Sequence, residues 1–418
     1  MTEIIAKLYG HTVGTLLHDG RSVYFEYDPM FQKLGLEISP HKLAIKSISG
    51  AYSNTDTSYF QGVPGVFHDS LPDKFGMRVI DRYYEEKGKS IADVNLLMRL
   101  SYIGSRAMGA LEYEPSDQPH YAQQKAEIMD LRQMYLDSQV IIKGEQTEAV
   151  HHIAAFMENA ASPGGAQPKA SIGWNRETKE IISGAQLGVP EGFEHWLIKF
   201  SKSDQLGQPL DFTKLEYLYM QMAGEIGINV PQTQMLYDGS DWHYAIKRFD
   251  RVDGQKIHMH TLAGLTHIDF NQPGHYSYEQ FWRISKALSR DNSVNLEIYK
   301  RAIFNVIARN QDDHAKNFSF LMDERGKWSL SPVYDITFAN GEKYTANHQM
   351  SINGKLSNFV LKDLITFGSK LGIKENSAKE IVGQTIDVLS TFAKRSKEME
   401  IREDLIRLVE RGLRLNIS

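Results

Sequence analysis

The sequence predicts an α+β fold, with a β-rich N-terminal region, a mixed middle and an α-helical C-terminal part. Short apolar or alternating runs separated by turn residues occupy the start of the chain, which is typical of strands. A breaker-rich loop and strand-like runs mark the middle, and helical periodicity dominates from about residue 261. Because 418 residues suit more than one packed unit, we expect three domains, at 1–110, 111–250 and 251–418.

The N-terminal region begins with three predicted strands, which are Ile4–Leu8, Val13–Leu17 and Ser22–Tyr27. Turn residues separate these runs, so we expect a small antiparallel meander. A helix follows, because the apolar residues from Phe75 to Tyr83 recur at helical spacing.

The middle of the chain is predicted to contain, in order, two helices, a breaker-rich loop, two strands, a helix and a strand: Ala122–Ser138, Glu145–Ala160, Ser162–Lys169, Ala170–Trp174, His195–Phe200, Phe212–Ile226 and Trp242–Phe249. Periodicity then predicts five helices in the C-terminal part: Tyr278–Leu288, Leu296–Ala308, Leu361–Leu371, Asn376–Phe392 and Ile401–Leu413. The chain therefore passes from β-rich to mixed to α-rich.

The composition excludes several classes of protein. There are no cysteines, which rules out a disulfide framework, a thiolate nucleophile and a cysteine-ligated metal site. The first residues lack the basic start and apolar core of a signal peptide, and no run reaches the roughly 18 to 20 apolar residues that span a bilayer. With a net charge of -5, the chain as a whole does not attract nucleic acid. We therefore expect a cytoplasmic protein without membrane contact.

The segment from Arg309 to Phe318 carries the strongest chemical signal, because it places polar residues between a predicted helix and a predicted strand. Phosphoryl transfer needs a carboxylate that accepts the proton of the attacking hydroxyl, and oxygen ligands for magnesium. Asp312 and Asn317 stand five residues apart, as the Asp and Asn of a kinase catalytic loop do. Asp335 follows a short predicted strand, Ser331–Tyr334, where a second metal-binding carboxylate belongs. The alternative is a solvated loop whose polar side chains cap helix ends.

A nucleotide also needs a cation near its phosphates, and two strand lysines are candidates, Lys199 and Lys247. In the kinase arrangement the lysine strand precedes a helix whose acidic residue pairs with the lysine. Lys199 precedes the helix that carries Glu216 and Glu225, so we assign Lys199 to the phosphates; of the two acidic residues, Glu216 is a guess for its partner. Lys247 comes after that helix, in a strand that leads to the interlobe hinge, where its backbone would meet adenine. The loop Gly164–Lys169 can cradle phosphates through backbone N–H groups.

Together these motifs resemble those of the HipA family of bacterial serine/threonine kinases, the toxins of HipBA-type toxin-antitoxin modules. The segments that carry the resemblance extend over nearly the full length: Phe67–Asp73, Gly164–Lys169, His195–Lys199, Lys247–Arg251, Asp312–Ser319 and Tyr334–Asp335. The resemblance implies a bilobal protein-kinase-like fold, related to phosphatidylinositol kinases, with ATP between the lobes.

The resemblance also implies roles for individual residues. Asp312 would be the catalytic base, and Asn317 and Asp335 would bind Mg²⁺. Ser162 would be autophosphorylated, which switches the kinase off. The residues expected to contact ATP are Gly164, Gly165, Ala166, Gln167, Pro168, Lys169, Lys199, Lys247, Phe249, His314, Asn317, Tyr334 and Asp335.

Partners follow from the same resemblance. A small helix-turn-helix antitoxin of the HipB type would bind the kinase, and operator DNA would be bound only through that complex. A protein substrate of the translation machinery, such as an aminoacyl-tRNA synthetase, is also implied.

Two other functions remain open: a small-molecule kinase built on the same Asp-Asn-Asp site, and a catalytically silent corepressor. His258 and His260 alternate on a predicted strand, and we expect structural roles for them because no third metal ligand is evident.

Overall fold

The computed structural model describes residues 1–53, 59–117, 128–143, 167–184, 188–203 and 209–417. Within these ranges no helix is both long and apolar enough to cross a membrane. The helix predicted at Glu145–Ala160 lies outside the described residues, as do Ser162, Gly164, Gly165 and Ala166 of the predicted nucleotide loop.

The N-terminal region is built on a five-stranded antiparallel sheet with the order β4-β3-β2-β1-β5. Its strands are β1 (Thr2–Leu8), β2 (His11–His18), β3 (Val23–Tyr27), β4 (Tyr52–Ser53) and β5 (Leu111–Glu114). Alternation explains the first strand, because Ile4, Ala6 and Leu8 are buried. The predicted meander is confirmed. The sheet also includes β5, which lies just beyond the predicted boundary at residue 110.

Among the described residues of this region there are three α-helices: α1 (Gly65–His68), α2 (Lys74–Glu86) and α3 (Leu96–Ile103). Helix α2 begins after Asp73, whose Oδ1 accepts a hydrogen bond from the backbone N–H of Gly76 at 2.9 Å and so caps the helix. The apolar residues that predicted this helix, from Phe75 to Tyr83, lie on its buried face.

A second five-stranded antiparallel sheet has the order β7-β6-β8-β10-β9. Its strands are β6 (Lys169–Asn175), β7 (Ile181–Ser183), β8 (Phe193–Lys199), β9 (Thr233–Tyr237) and β10 (Trp242–Lys247), and its helices are α4 (Leu131–Lys143) and α5 (Phe212–Glu225). The helix predicted at Ala122–Ser138 is wrong over residues 128–130, which are not helical, and its first residues, 122–127, lie outside the described residues. Asp130 explains this, because its Oδ1 accepts from the N–H of Gln133 at 2.7 Å, as an N-cap does.

The C-terminal part is mostly helical, as predicted. Its helices are α6 (Leu262–Thr266), α7 (Tyr278–Ser289), α8 (Ser293–Ile307), α9 (Leu361–Lys370), α10 (Glu375–Ser390), α11 (Phe392–Glu398) and α12 (Glu403–Gly412). Short strands join them: β11 (Arg251–Val252), β12 (Gln255–Lys256), β13 (His258–Thr261), β14 (Tyr276–Ser277), β15 (Ser319–Met322), β16 (Trp328–Leu330) and β17 (Met350–Ser351).

The strand predicted at Ser331–Tyr334 is wrong. Strand β16 ends at Leu330, and the chain from residue 331 to Asp335 is irregular. Pro332 provides the physical reason, because it has no backbone N–H to donate to a neighbouring strand.

Two hydrophobic cores hold the elements together, and the N-terminal region contributes to both. One core joins the first sheet to the C-terminal helices, with Leu8 and Phe304 among its members. The other joins α2, α3 and α4 to the second sheet, where Val79 and Tyr102 share a core with Trp196. The N-terminal region therefore packs against both of the other parts of the molecule.

Candidate active site

The loop that follows α8 is fixed by a buried carboxylate. Asp313 is 1% exposed and accepts three hydrogen bonds, from the hydroxyl of Tyr278 at 2.8 Å, the backbone N–H of Gln349 at 2.8 Å and Nδ1 of His348 at 2.9 Å. Asn305 in turn donates to the Tyr278 hydroxyl at 2.9 Å. Nothing in the sequence predicts this anchoring role for Asp313, whereas the adjacent Asp312 was predicted as the base. One carboxylate of the pair holds the loop, and the other remains accessible.

We use the word cleft for the space around Asp312, Asp335 and Lys199, where the loop after α8 faces the end of β8. The Asp312 side chain is 43% exposed there. Its carbonyl oxygen accepts a hydrogen bond from Nδ2 of Asn317 at 2.9 Å, which closes the loop between the two residues that the spacing argument paired. Burial, followed by the negative charges of Asp335 and Asp313, raises the pKa of the Asp312 carboxyl to about 7. A carboxylate with such a pKa can accept a proton near neutral pH.

His314 stands beside this carboxylate, with Nε2 3.7 Å from Asp312 Oδ1 and its ring 4.6 Å from that of Phe270. Burial lowers the pKa of His314 to about 4, although Asp335 opposes the shift. The imidazole is therefore neutral at pH 7 and can act as a hydrogen-bond donor or acceptor in the cleft.

The second sheet with α5 forms one lobe and the C-terminal part forms the other, and the two lobes meet at an ion pair centred on Lys199, at the end of β8. Lys199 Nζ lies 2.6 Å from Glu216 Oε1, on α5, and 2.5 Å from Asp335 Oδ1. Burial alone would lower the pKa of Lys199, but the two carboxylates outweigh it and raise that pKa. Burial would likewise raise the pKa of Asp335, but Lys199 and then Lys169 lower it to about 2. Asp335, at φ +59°, therefore stays ionised and faces the lysine.

The end of the predicted nucleotide loop is attached to the second sheet and to the N-terminal region. Gln167 Nε2 donates to the carbonyl of Phe200 at 2.8 Å, and the carbonyl of Pro168 accepts from the Phe200 N–H at 2.9 Å. Lys169 begins β6, and its Nζ lies 2.7 Å from Oδ2 of Asp73. The contact with Asp73 was not predicted, because the two residues are far apart in sequence.

The predicted hinge follows β10. Lys247 Nζ lies 2.5 Å from Glu194 Oε1, so its side chain is engaged on the sheet. The Phe249 and Tyr334 rings lie 6.0 Å apart at 29°, and the Tyr334 hydroxyl donates to the carbonyl of Lys316 at 2.9 Å. The structure therefore brings together two aromatic residues selected from the sequence, whereas the Lys247 side chain contacts Glu194 and its backbone N–H donates to the carbonyl of Gln232 at 2.8 Å.

Oxygen donors in the cleft suit magnesium, which prefers carboxylate and carbonyl ligands. Asn317 uses its amide nitrogen to bond Asp312, which leaves the amide oxygen for a cation, and Asp335 has a second oxygen besides the one on Lys199. Within the described ranges there is no cluster of three or more His, Asp or Glu side chains arranged for a metal. In general, Mg²⁺ binds one or two carboxylates together with substrate phosphates and water.

The two strand histidines, in contrast, belong to the interior. His260 Nδ1 lies 2.6 Å from Asp69 Oδ2, and its Nε2 lies 3.0 Å from Ser39 Oγ. His258 Nε2 bonds the carbonyl of Ile38 at 2.9 Å. Although Ser39, His260 and Asp69 have the order of a catalytic triad, both Ser39 and His260 are 0% exposed. The histidines therefore join the N-terminal region to β13, in agreement with the structural role expected for them.

Two family descriptions match the chain. The HipA N-terminal domain matches residues 4–114, and the HipA-like C-terminal domain matches residues 161–392. Together they cover both the first sheet and the cleft with its Lys199 and Asp312.

Individual proteins give the same relationship. The chain is 24% identical over 413 residues to Y4dM of Sinorhizobium fredii, a protein named as a kinase, with 93% of this chain and 90% of that protein aligned. It is 22% identical over 239 residues to the serine/threonine-protein kinase toxin HipA of Shewanella oneidensis, covering 51% of this chain and 52% of the toxin.

A solved structure agrees in fold. The chain superposes on a chain of the Shewanella oneidensis HipA, HipB and operator DNA complex with a TM-score of 0.67 at 17% sequence identity, covering 98% of this chain and 94% of the other. The similarity supports an α+β kinase-like fold for the whole molecule.

Proposed function

Because this chain belongs to the HipA kinase family, we propose that it is an ATP-dependent kinase that phosphorylates serine or threonine in proteins and serves as the toxin of a toxin-antitoxin module. The observation that carries the proposal is the Lys199 ion pair. The lysine pairs with the helix carboxylate of Glu216 and has the carboxylate of Asp335 beside it, so the two parts that an active kinase needs, a lysine–glutamate ion pair and a metal-binding aspartate, lie together. A structural ion pair would need only one of the two carboxylates.

We assign the following roles. Asp312 is the general base, which takes the proton from the acceptor hydroxyl as that oxygen bonds to the γ-phosphorus of ATP and the bond from that phosphorus to ADP breaks; its pKa of about 7 suits this task. ATP supplies the phosphoryl group; Asn317 and Asp335 would hold Mg²⁺, which would offset the charge of the ATP phosphates. Lys199 contacts the phosphates. The remaining ATP contacts are assigned to Gly164, Gly165, Ala166, Gln167, Pro168, Lys169, Lys247, Phe249, His314 and Tyr334.

The domain division follows from these roles. We assign residues 1–110 to an N-terminal β-rich subdomain, 111–250 to the lobe that carries the nucleotide loop, and 251–418 to the helical lobe with the catalytic loop. Both Lys199 and the proposed hinge then fall in the second unit, and Asp312 and Asp335 fall in the third.

Regulation and partners are part of the proposal. Ser162 precedes the nucleotide loop and is proposed as the site of inactivating autophosphorylation. A HipB-like helix-turn-helix antitoxin is the proposed partner, with the kinase as its corepressor on operator DNA; support comes from the Shewanella oneidensis complex, which holds HipA, HipB and DNA. The proposed substrate is a protein, with an aminoacyl-tRNA synthetase as the first candidate.

Intact-mass spectrometry after incubation with Mg-ATP tests the activity. The wild-type chain is expected to gain one phosphate, or to carry it from expression, and both Asp312→Ala and Ser162→Ala should lack it. Ser162→Ala should still bind Mg-ATP. A wild-type chain that carries no phosphate before or after incubation would count against self-phosphorylation, and would favour a small-molecule kinase if Mg-ATP binds and a silent corepressor if it does not.

A further inference from the structure

A row of rings leads from the catalytic loop to the N-terminal region. It begins at His314, whose Nε2 lies 3.7 Å from Asp312 Oδ1. The ring of Phe270 lies 4.6 Å from that of His314, and the ring of Tyr59 lies 4.8 Å from that of Phe270. Tyr59 belongs to the N-terminal region and Phe270 follows α6. We call these three rings the aromatic wall, and its first member is beside the proposed base.

The far end of the aromatic wall rests on buried side chains. The rings of Phe60 and His68 both lie 4.9 Å from that of Tyr59, and they are 1% and 8% exposed. The carbonyl of Phe270 accepts a hydrogen bond from the Tyr344 hydroxyl at 2.6 Å, which holds its backbone. Tyr59 and Phe270 themselves are only partly buried. The wall therefore has a fixed back and keeps exposed apolar surface beside the cleft.

A cation lies against the same wall. Lys316 is on the catalytic loop, and its Nζ donates to the Tyr59 hydroxyl at 3.4 Å and lies 5.8 Å from the centre of the Phe270 ring. No step of the proposed phosphoryl transfer uses this lysine. A lysine or arginine of a bound chain would place a second positive charge beside the ammonium, and such like-charge contacts are a common source of specificity.

We propose that the aromatic wall is an acceptor subsite, which binds an apolar side chain of the protein substrate within about two residues of the phosphorylated hydroxyl, and that Lys316 disfavours a basic side chain there. The inference deepens the proposed function and rests on it. An apolar side chain that packs on the rings is removed from water, which favours binding. The N-terminal region thereby takes part in the choice of substrate through Tyr59.

The dimensions of an extended chain set this range. Such a chain advances about 3.3 Å per residue, and side chains two residues apart project to the same side, about 7 Å from each other. Phe270 is one ring beyond His314, which is itself 3.7 Å from the base. A serine whose hydroxyl is at Asp312 therefore places a near neighbour beside Phe270.

Serine peptides test the subsite without knowledge of the natural substrate. The probes are peptides of equal length in which one of the four residues nearest the serine is leucine, glycine or lysine, and all other residues are fixed. At the position that meets the wall, leucine is expected to raise kcat/KM about tenfold over glycine, the scale of an apolar contact in a specificity pocket. Lysine at that position should lower kcat/KM below the value for glycine.

Tyr59→Ser and Phe270→Ser each remove one ring of the wall. Each should lower the leucine-to-glycine ratio of kcat/KM at least about threefold, through a higher KM for the leucine peptide with little change in kcat, because the contact is the same in the ground state and the transition state. Tyr237→Ser is the matched control. It removes a ring that is 53% exposed and lies 4.9 Å from the Trp242 ring on the second sheet, and it should keep the wild-type ratio.

Lys316→Met tests the charge separately from the rings. It should raise the lysine-to-glycine ratio of kcat/KM about threefold, the scale of a charge contact that is partly exposed to water. The ratio compares two peptides on the same variant, so a general loss of turnover in Lys316→Met does not affect it.

Equal kcat/KM values for the leucine and glycine peptides at all four positions in the wild type would overturn the proposal, as would a wild-type ratio in a folded Tyr59→Ser or Phe270→Ser chain. An unchanged lysine-to-glycine ratio in Lys316→Met would overturn the role of the lysine. Self-phosphorylation without transfer to any peptide would also overturn the subsite, because the wall would then bind no separate acceptor. A wild-type chain that phosphorylates neither itself nor a peptide would instead refute the proposed function.

Discussion

Replacing Lys199 by methionine removes the ammonium and keeps most of the apolar stem, so it separates charge from packing. The lysine and Glu216 side chains are 7% and 5% exposed and their charged atoms are 2.6 Å apart. At that distance the attraction is about 6 kcal/mol at an effective dielectric constant of about 20, before the cost of desolvation. Breaking a buried pair from one side costs about 3 to 5 kcal/mol, because the other charge stays behind. Here two carboxylates, those of Glu216 and Asp335, would be left without the cation.

We therefore expect Lys199→Met to lower the thermal unfolding midpoint by several degrees and to reduce phosphoryl transfer at least about 100-fold, since a preorganised charge in the site is lost. The double variant Lys199→Met/Glu216→Leu should recover part of the stability, because apolar residues often replace a buried ion pair without loss, whereas Asp335 still lacks its cation. It should not recover transfer. Calorimetry and intact-mass spectrometry with Mg-ATP measure the two effects separately.

Lys247→Met is the matched control. Lys247 lies on the neighbouring strand and contacts Glu194 at 2.5 Å, but its side chain is 33% exposed. Loss of such a pair costs about 0 to 1 kcal/mol. Two results would show that the buried lysine does not contact the phosphates. One is a rate of phosphoryl transfer by Lys199→Met within about tenfold of the wild-type rate, and the other is an equal loss of transfer in Lys247→Met.

Three further outcomes are expected. Phosphoryl transfer should fall as the pH drops below about 7, to about one tenth of its plateau at pH 6, because the Asp312 base must be deprotonated; a flat pH profile between 5 and 8 would contradict this assignment. Asp313→Ala should reduce phosphoryl transfer and should lower the free energy of unfolding by about 2 to 4 kcal/mol, because three donors lose their acceptor. Denaturant titration measures this loss of stability. Asp69→Ala should loosen the junction between the end of α1 and β13, because Asp69 bonds both Thr261 and His260. Amide hydrogen exchange should become faster in α1 and in β13, and unchanged exchange would argue that packing alone holds the junction.

Local patterns were enough to predict most elements and part of the site. Alternation gave the first three strands, and chain order gave Lys199 and Glu216, because a lysine strand followed by a helix brings the two residues face to face. The predicted strand before Asp335 failed because apolar character was given more weight than the missing N–H of Pro332. The predicted helix Ala122–Ser138 failed over residues 128–130 for a similar reason. Asp130 caps α4, which begins at Leu131, and hydrophobic periodicity does not reveal such a cap.

Contacts between distant segments could not be predicted in this way. Asp73 and Lys169 are separated by almost a hundred residues, and nothing in either segment indicates that they meet. Asp313 was overlooked because a buried carboxylate and an accessible one look alike in sequence. Their difference arises only when Tyr278 and Gln349 approach from other parts of the fold.

The two cores shared by the N-terminal region have a consequence for how a ligand enters and leaves. At the junction of α1 and α6, backbones touch so closely that a Cβ on Gly65 would lie 2.1 Å from the carbonyl oxygen of Gly264. On the other side, α2 and α3 share a core with the second sheet, including Trp196. Swinging one lobe away from the other would have to break one of these contacts. Exchange of nucleotide in this molecule is therefore expected to proceed with the lobes at a nearly constant angle, and its rate to depend on local movements at the mouth of the cleft.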